Sequence, residues 1–161
     1  MTDTDARAAV TLEELLKRVE KATGPDRLLD AELFAALVPN PRDPWRYWHA
    51  DIERPGTVLD GPHDAQAATA PAYAASLDAA LALVETRLPG WNIEISHGGD
   101  RHAAVLNEFL PPCRRIPRNR PYVIAHRTST VLAVISALLR AFILIAQERP
   151  LPAPPEEEQK R

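Results

Sequence analysis

Four stretches of the chain space their apolar residues as helices do, and three short ones read as strands. Thr11-Leu12-Glu13-Glu14 forms a capping box, and Leu12, Leu15, Leu16, Val19 and Ala22 follow as one stripe, which predicts a helix over 12–22. Gly24-Pro25 ends it, and Asp26 is placed to cap a second helix running to about residue 38. Leu29, Leu33 and Leu37 form its seam, with Phe34 and Val38 alongside, so the pair reads as a helical hairpin. Ser76 caps a third helix whose Leu77, Leu81, Val84 and Leu88 share a face, and Pro89-Gly90 breaks it. Trp91, Ile93 and Ile95 then alternate with Asn92, Glu94 and Ser96, which is the period of a half-buried strand. A helix leading straight into such a strand implies a helix lying on a sheet.

His97-Gly98-Gly99-Asp100 is a turn signal, and a second strand over 101–107 completes a hairpin. Tyr122 to Ala125 reads as a third short strand. Thr128 or Ser129 caps a final helix over 130–148. That helix carries two apolar seams, Leu132, Ile135, Leu139 and Phe142 beside Val131, Val134, Leu138 and Ile145. It is therefore expected to be buried on more than one side, against the sheet and against another helix or subunit. The stretch 131–146 is apolar enough to suggest a membrane span, but it falls short of the roughly 20 residues that crossing a bilayer takes, and it contains Arg140.

Between the second and third helices, residues 39–72 are rich in proline and show no sustained period. So long a structureless run is unusual in a compact domain, so the segment holds short strands, around residues 47–52, or forms a functional flap. Residues 149–161 are proline-rich and charged and read as a disordered tail. The expectation is one α+β domain over 1–148, in the order α-α-(irregular)-α-β-β-β-α. It has a small antiparallel sheet of about three or four strands sandwiched by helices in helix–sheet–helix layers.

Composition narrows the function classes. Nineteen basic residues against 22 acidic give a formal net charge of −3, which argues against a nucleic-acid coat or a polybasic membrane binder. A hydrophobic share of 45% excludes disorder throughout. The lone cysteine, Cys113, and an N-terminus with no apolar core point to a reducing, cytoplasmic setting.

Several local patterns together resemble the phage ABA-sandwich domain family. They are the Ala22–Arg27 segment ATGPDR, Tyr73 with Ser76-Leu77-Asp78-Ala79-Ala80, the Pro89-Gly90-Trp91 turn, and the capped, alanine- and leucine-rich last helix. The likeness covers roughly residues 12–38 and 73–146 and omits the proline-rich insert. It implies helix–sheet–helix layering and a bacterial host cell, and it brings no assigned activity and no catalytic residue. The insert and an arginine-rich loop depart from the family pattern, so any particular function is sought there.

The sharpest chemical feature is the run from Cys113 to Arg127, with Arg114, Arg115, Arg118, Arg120, His126 and Arg127 and no acidic residue. Guanidinium forks grip phosphate or carboxylate oxygens in pairs, and a helix N-terminus near Thr128 adds its dipole. The competing reading is a solvated loop that pairs with the protein's own carboxylates. Trp45, Tyr47 and Trp48 cluster in the insert and offer a stacking surface for a nucleobase, or else close the edge of a core. His97, Asp100 and His102 match no compact metal pattern and read as a turn with nearby histidines, so no metal and no cofactor are expected. Cys113 with His126 lacks a supporting catalytic motif; Asp78 and Glu85 read as solvent-exposed, and Gly98-Gly99 is too short for a phosphate fingerprint. The sequence thus favours a non-enzymatic binder of a small anionic ligand, most plausibly one that sequesters a nucleotide-derived signal of antiphage defence. The alternative is an interaction or assembly module built on the aromatic insert and the last helix. A homo-oligomer fits both.

Overall fold

The computed structural model describes residues 11–39, 48–60, 67–108 and 122–148. Thr11 and Glu14 exchange backbone and side-chain hydrogen bonds, at 2.9 and 3.2 Å, and start α1, Leu12–Lys21. The Asp26 carboxylate accepts from the amides of Leu28 and Leu29 and starts α2, Arg27–Leu37. Ser76 Oγ accepts from Ala79 N and starts α3, Leu77–Arg87. Each cap satisfies amides that the first helical turn leaves unpaired.

Two antiparallel sheets complete the α+β fold. The larger holds β4 (Trp91–Gly98), β5 (Arg101–Glu108) and β6 (Tyr122–Arg127) in that spatial order. Register runs without a break from Trp91 opposite Glu108 to Gly98 opposite Arg101. The two-residue turn between them needs a left-handed backbone, and Gly99 supplies it with φ +61°. The smaller sheet lies in the insert: β1 (Trp48–Ala50), β2 (Thr57–Asp60) and β3 (Ala67–Thr69), paired in chain order. The expectation of short strands there is met.

The last helix, α4 (Thr130–Glu148), is the centre of the molecule. It lies over β5 and β6 and packs on its other sides against α1 and α3. Leu132 through Leu139 are buried without interruption, which is what its two apolar seams demand. Helices cover one face of the large sheet among the described residues; on the other, Asn92, Glu94, Ser96, Arg101 and His126 are exposed. By length, the last helix does reach a membrane span, contrary to the expectation from its apolar run. The helix extends past both ends of the apolar run, and Thr130–Gln147 is long and apolar enough to cross a bilayer by length and composition, with mean hydropathy 2.1. Half of that stretch is buried inside the protein, as in the core helix of a globular domain.

α2 separates two cores. Leu29, Leu33 and Leu37 enter the main cluster with α1, α3, α4 and the large sheet, whereas Ala31 joins Val58 and Ala70 in a small cluster under β1–β3. A polar node fastens the small sheet to α2. Arg27 Nη1 donates to the buried Asp30 carboxylate at 2.8 Å, and its Nη2 donates to Ala70 O at 2.7 Å. Asp30 also accepts from Ala74 N at 2.6 Å. Gly56 is needed here twice over: its φ is +87°, and a Cβ would stand 2.6 Å from Arg27 Nη2.

Candidate functional site

Of the residues that sequence patterning nominates for ligand binding, Arg114, Arg115, Arg118, Arg120, Trp45 and Tyr47 lie outside the described residues, as does Cys113. His126, Arg127 and Trp48 can be placed: the first two point to opposite faces of β6, though Arg127 Nη1 donates to His126 O, and Trp48 belongs to the small sheet. β6 alternates, so Val123, Ala125 and Arg127 face α4 while Ile124 and His126 face the other way. His126 is exposed on the open face of the sheet.

Arg127 is turned inward to a carboxylate that holds two arginines. Arg140 Nη2 donates to Glu20 Oε1 at 2.9 Å, and Arg127 Nη2 reaches the same oxygen at 2.9 Å as an ion pair off the hydrogen-bond axis. Arg140 Nη1 also donates to Ile124 O, which ties α4 to the β6 edge. The Arg140 hydrogen bond first, and the Arg127 charge after it, hold the Glu20 carboxyl below its usual range near 4.5. A depressed carboxylate stabilises the fold above its unfolded value and loses that contribution as pH falls through the folded value. Glu20→Gln is therefore expected to lower stability at pH 7 by about 1 kcal/mol or less, since the site is part-exposed. Urea unfolding at stepwise lower pH should show the variant and the parent converging below about pH 4.5.

Trp48 stacks edge-on against Phe34 of α2, with ring centroids 5.6 Å apart and planes at 72°. It packs on the small core, so its ring closes that cluster. Its Nε1 is buried and makes no hydrogen bond among the described residues.

The turn histidines are also accounted for. His97 and His102 face each other across β4 and β5 with centroids 5.0 Å apart, and His102 Nδ1 shares a 2.7 Å hydrogen bond with Thr130 Oγ1 at the start of α4. No group of three or more potential metal ligands occurs among the described residues. Asp78 and Glu85 are exposed on α3.

No family model, curated protein or solved structure matches this chain. The geometry is then the only guide beyond the sequence.

Sequence patterning passes over a buried acid, Asp30. Its side chain is wholly buried, and burial is the leading influence on it, pushing the carboxyl above the usual aspartate range against the pull of Ala74 N–H and Arg27. Tyr73 is raised to about 12 by its own burial and then by the Asp30 charge. Both belong to the node that joins α2 to the segment before α3, and Arg27 closes it on the solvent side, so the arrangement holds structure together. The open hollow of about 360 Å³ at the α1–α2 joint is lined by the single run Lys21 to Asp26, with no second element facing it among the described residues.

Proposed function

We propose that this chain is a non-enzymatic binding module for a small anionic ligand of the nucleotide class, captured by the arginine-rich connection between β5 and β6. The supporting observation is the register of that hairpin. Asn107 pairs with Tyr122, so residues 109–121 leave and re-enter the sheet at neighbouring strand ends. That segment carries Arg114, Arg115, Arg118 and Arg120 and no carboxylate. That run concentrates positive charge in the sequence, which a phosphate balances while its oxygens accept paired N–H bonds. Arg127, which shares Glu20 with Arg140, and Trp48, packed on Phe34, are engaged within the fold, and the reading does not call on them. Trp45 and Tyr47 remain its aromatic candidates. In the phage setting that the family resemblance implies, the activity is sequestration of a nucleotide-derived defence signal in the bacterial cytoplasm.

A thermal-shift screen against linear, cyclic and ADP-ribose-type nucleotides tests this. A ligand present at 100 times its Kd adds about 2.7 kcal/mol of stability. The expected result is a raised Tm that disappears in an Arg118→Ala, Arg120→Ala variant whose own Tm is unchanged. No shift with any nucleotide overturns it.

A second reading, an interaction module, is favoured by the far end of α4. Phe142, Ile143, Leu144 and Ile145 are all only half-buried, although consecutive positions point around the whole helix. This reading expects association that Ile143→Glu abolishes, with no response to nucleotides.

A further inference from the structure

The large sheet ends on a strand that lacks the usual protection. β4 is eight residues long, lies at the sheet edge beyond α4, and runs in unbroken register with β5. It contains no proline, no lysine and no bulge, and Glu94 is its one carboxylate, so few of the devices that normally keep an edge from pairing are present. Among the described residues nothing pairs with its outer side. Ile95, on the face that α4 covers only over β5 and β6, keeps 41% of its surface exposed.

The hydrogen-bonding phase of this edge follows from the hairpin. A two-residue turn makes Gly98 and Arg101 a hydrogen-bonded pair, so Ser96, Glu94 and Asn92 also direct their backbone groups toward β5. Ile93, Ile95 and His97 direct theirs outward, while the Trp91 N–H is taken by Leu88 O at 3.1 Å. These outward groups are the ones an additional antiparallel strand would engage.

We infer that the partner is a second copy of this chain, paired β4 to β4 about a two-fold axis through Ile95 to make a continuous six-stranded sheet. The choice of axis rests on the side chains. A two-fold axis normal to the sheet keeps faces matched, so it passes through a residue. Placed at Glu94, it would set two carboxylates directly opposite at the narrow spacing of a non-hydrogen-bonded pair, where like charges destabilise. Placed at Ile93, it would bring Pro89, which has no N–H to donate, opposite His97. At Ile95, the two exposed isoleucines meet, Ile93 faces His97 of the partner, and Glu94 faces Ser96. This register forms about six new backbone hydrogen bonds.

The same register leaves the two Glu94 carboxylates as diagonal neighbours, roughly 7–8 Å apart, and an arginine of each protomer offsets that repulsion. On the open face, Arg101 sits beside Gly98, which raises no side chain between it and the partner strand. The partner's Glu94 then lies two strands over and one row along, about 12 Å between Cα atoms from sheet spacings. That is within the combined reach of an arginine and a glutamate, and the two-fold axis makes the contact twice.

Sedimentation velocity on the full chain across a wide concentration range is the test. The expected result is a reversible dimer that Ile95→Lys converts to monomer with unchanged circular dichroism, since Ile95 is part-exposed and its loss leaves the core alone. Ile143→Glu is expected to leave the dimer intact. A second measurement does not depend on the lysine variant's folding: Ile95→Cys in a Cys113→Ser background should oxidise to a disulfide-linked dimer, because directly opposed hydrogen-bonded residues stand about 5.5 Å apart. A monomer at every concentration, a dimer that survives Ile95→Lys, or one lost only in Ile143→Glu overturns the proposal. None of these outcomes depends on whether a nucleotide binds.

Discussion

Leu138→Ala is expected to lower the unfolding free energy by about 3 to 4 kcal/mol, from the lost transfer energy of the leucine and the cavity it leaves. Leu138 is wholly buried in the main cluster. α4 has the large sheet on one side and α1 and α3 on others, so no loose neighbour is available to collapse into the gap. Urea unfolding should show a lower midpoint with an unchanged slope. Ile143→Ala, at a half-buried position on the same helix, should cost clearly less. Equal losses at the two sites would mean that the buried stretch of α4 is not the centre of the core.

Asp30→Ala should cost about 3 kcal/mol, because it leaves the buried Ala74 amide unpaired and strips Arg27 of its carboxylate. Asp30→Asn keeps the shape and one acceptor and should cost less. The pH dependence has a definite sign. Burial raises the folded value above the ordinary 3.8, so the Asp30 contribution is fully present below that ordinary value and falls as pH rises through the raised one. Relative to the parent, the asparagine variant should therefore improve as pH climbs through that window. Gly56→Ala attacks the same node by displacing the Arg27 guanidinium, so its effect and that of Asp30→Ala should add to less than their sum.

How much of this was legible beforehand depended on the range of the interaction. The Thr11 capping box, the Asp26 and Ser76 caps, and the Pro89-Gly90 break all act within a few residues, and each lies where the sequence puts it. The small sheet was not resolved strand by strand, because three- and four-residue strands carry too few positions to display a period. Asp30 was missed for a related reason. With Arg27 it looks like an ordinary surface pair three apart, and the amide that makes it buried and structural is 44 residues away. Arg127, by contrast, could have been read correctly. Strand alternation over Val123, Ala125 and Arg127 puts that charge on the apolar face, where it needs a carboxylate, before any ligand is considered. The arginines from 114 to 120 have no such periodic frame, so the sequence remains the whole case for them.

The division of the core by α2 bears on how this protein can change over generations. A substitution at Trp48, Val58 or Ala68 disturbs only a small cluster resting on α2. A substitution in α4 disturbs every layer at once. The insert can therefore be rewritten, lengthened or exchanged while the frame of α1, α3, α4 and the large sheet persists. Its points of attachment, the Arg27 fork and the gap at Gly56, are the part of that panel that drift cannot touch.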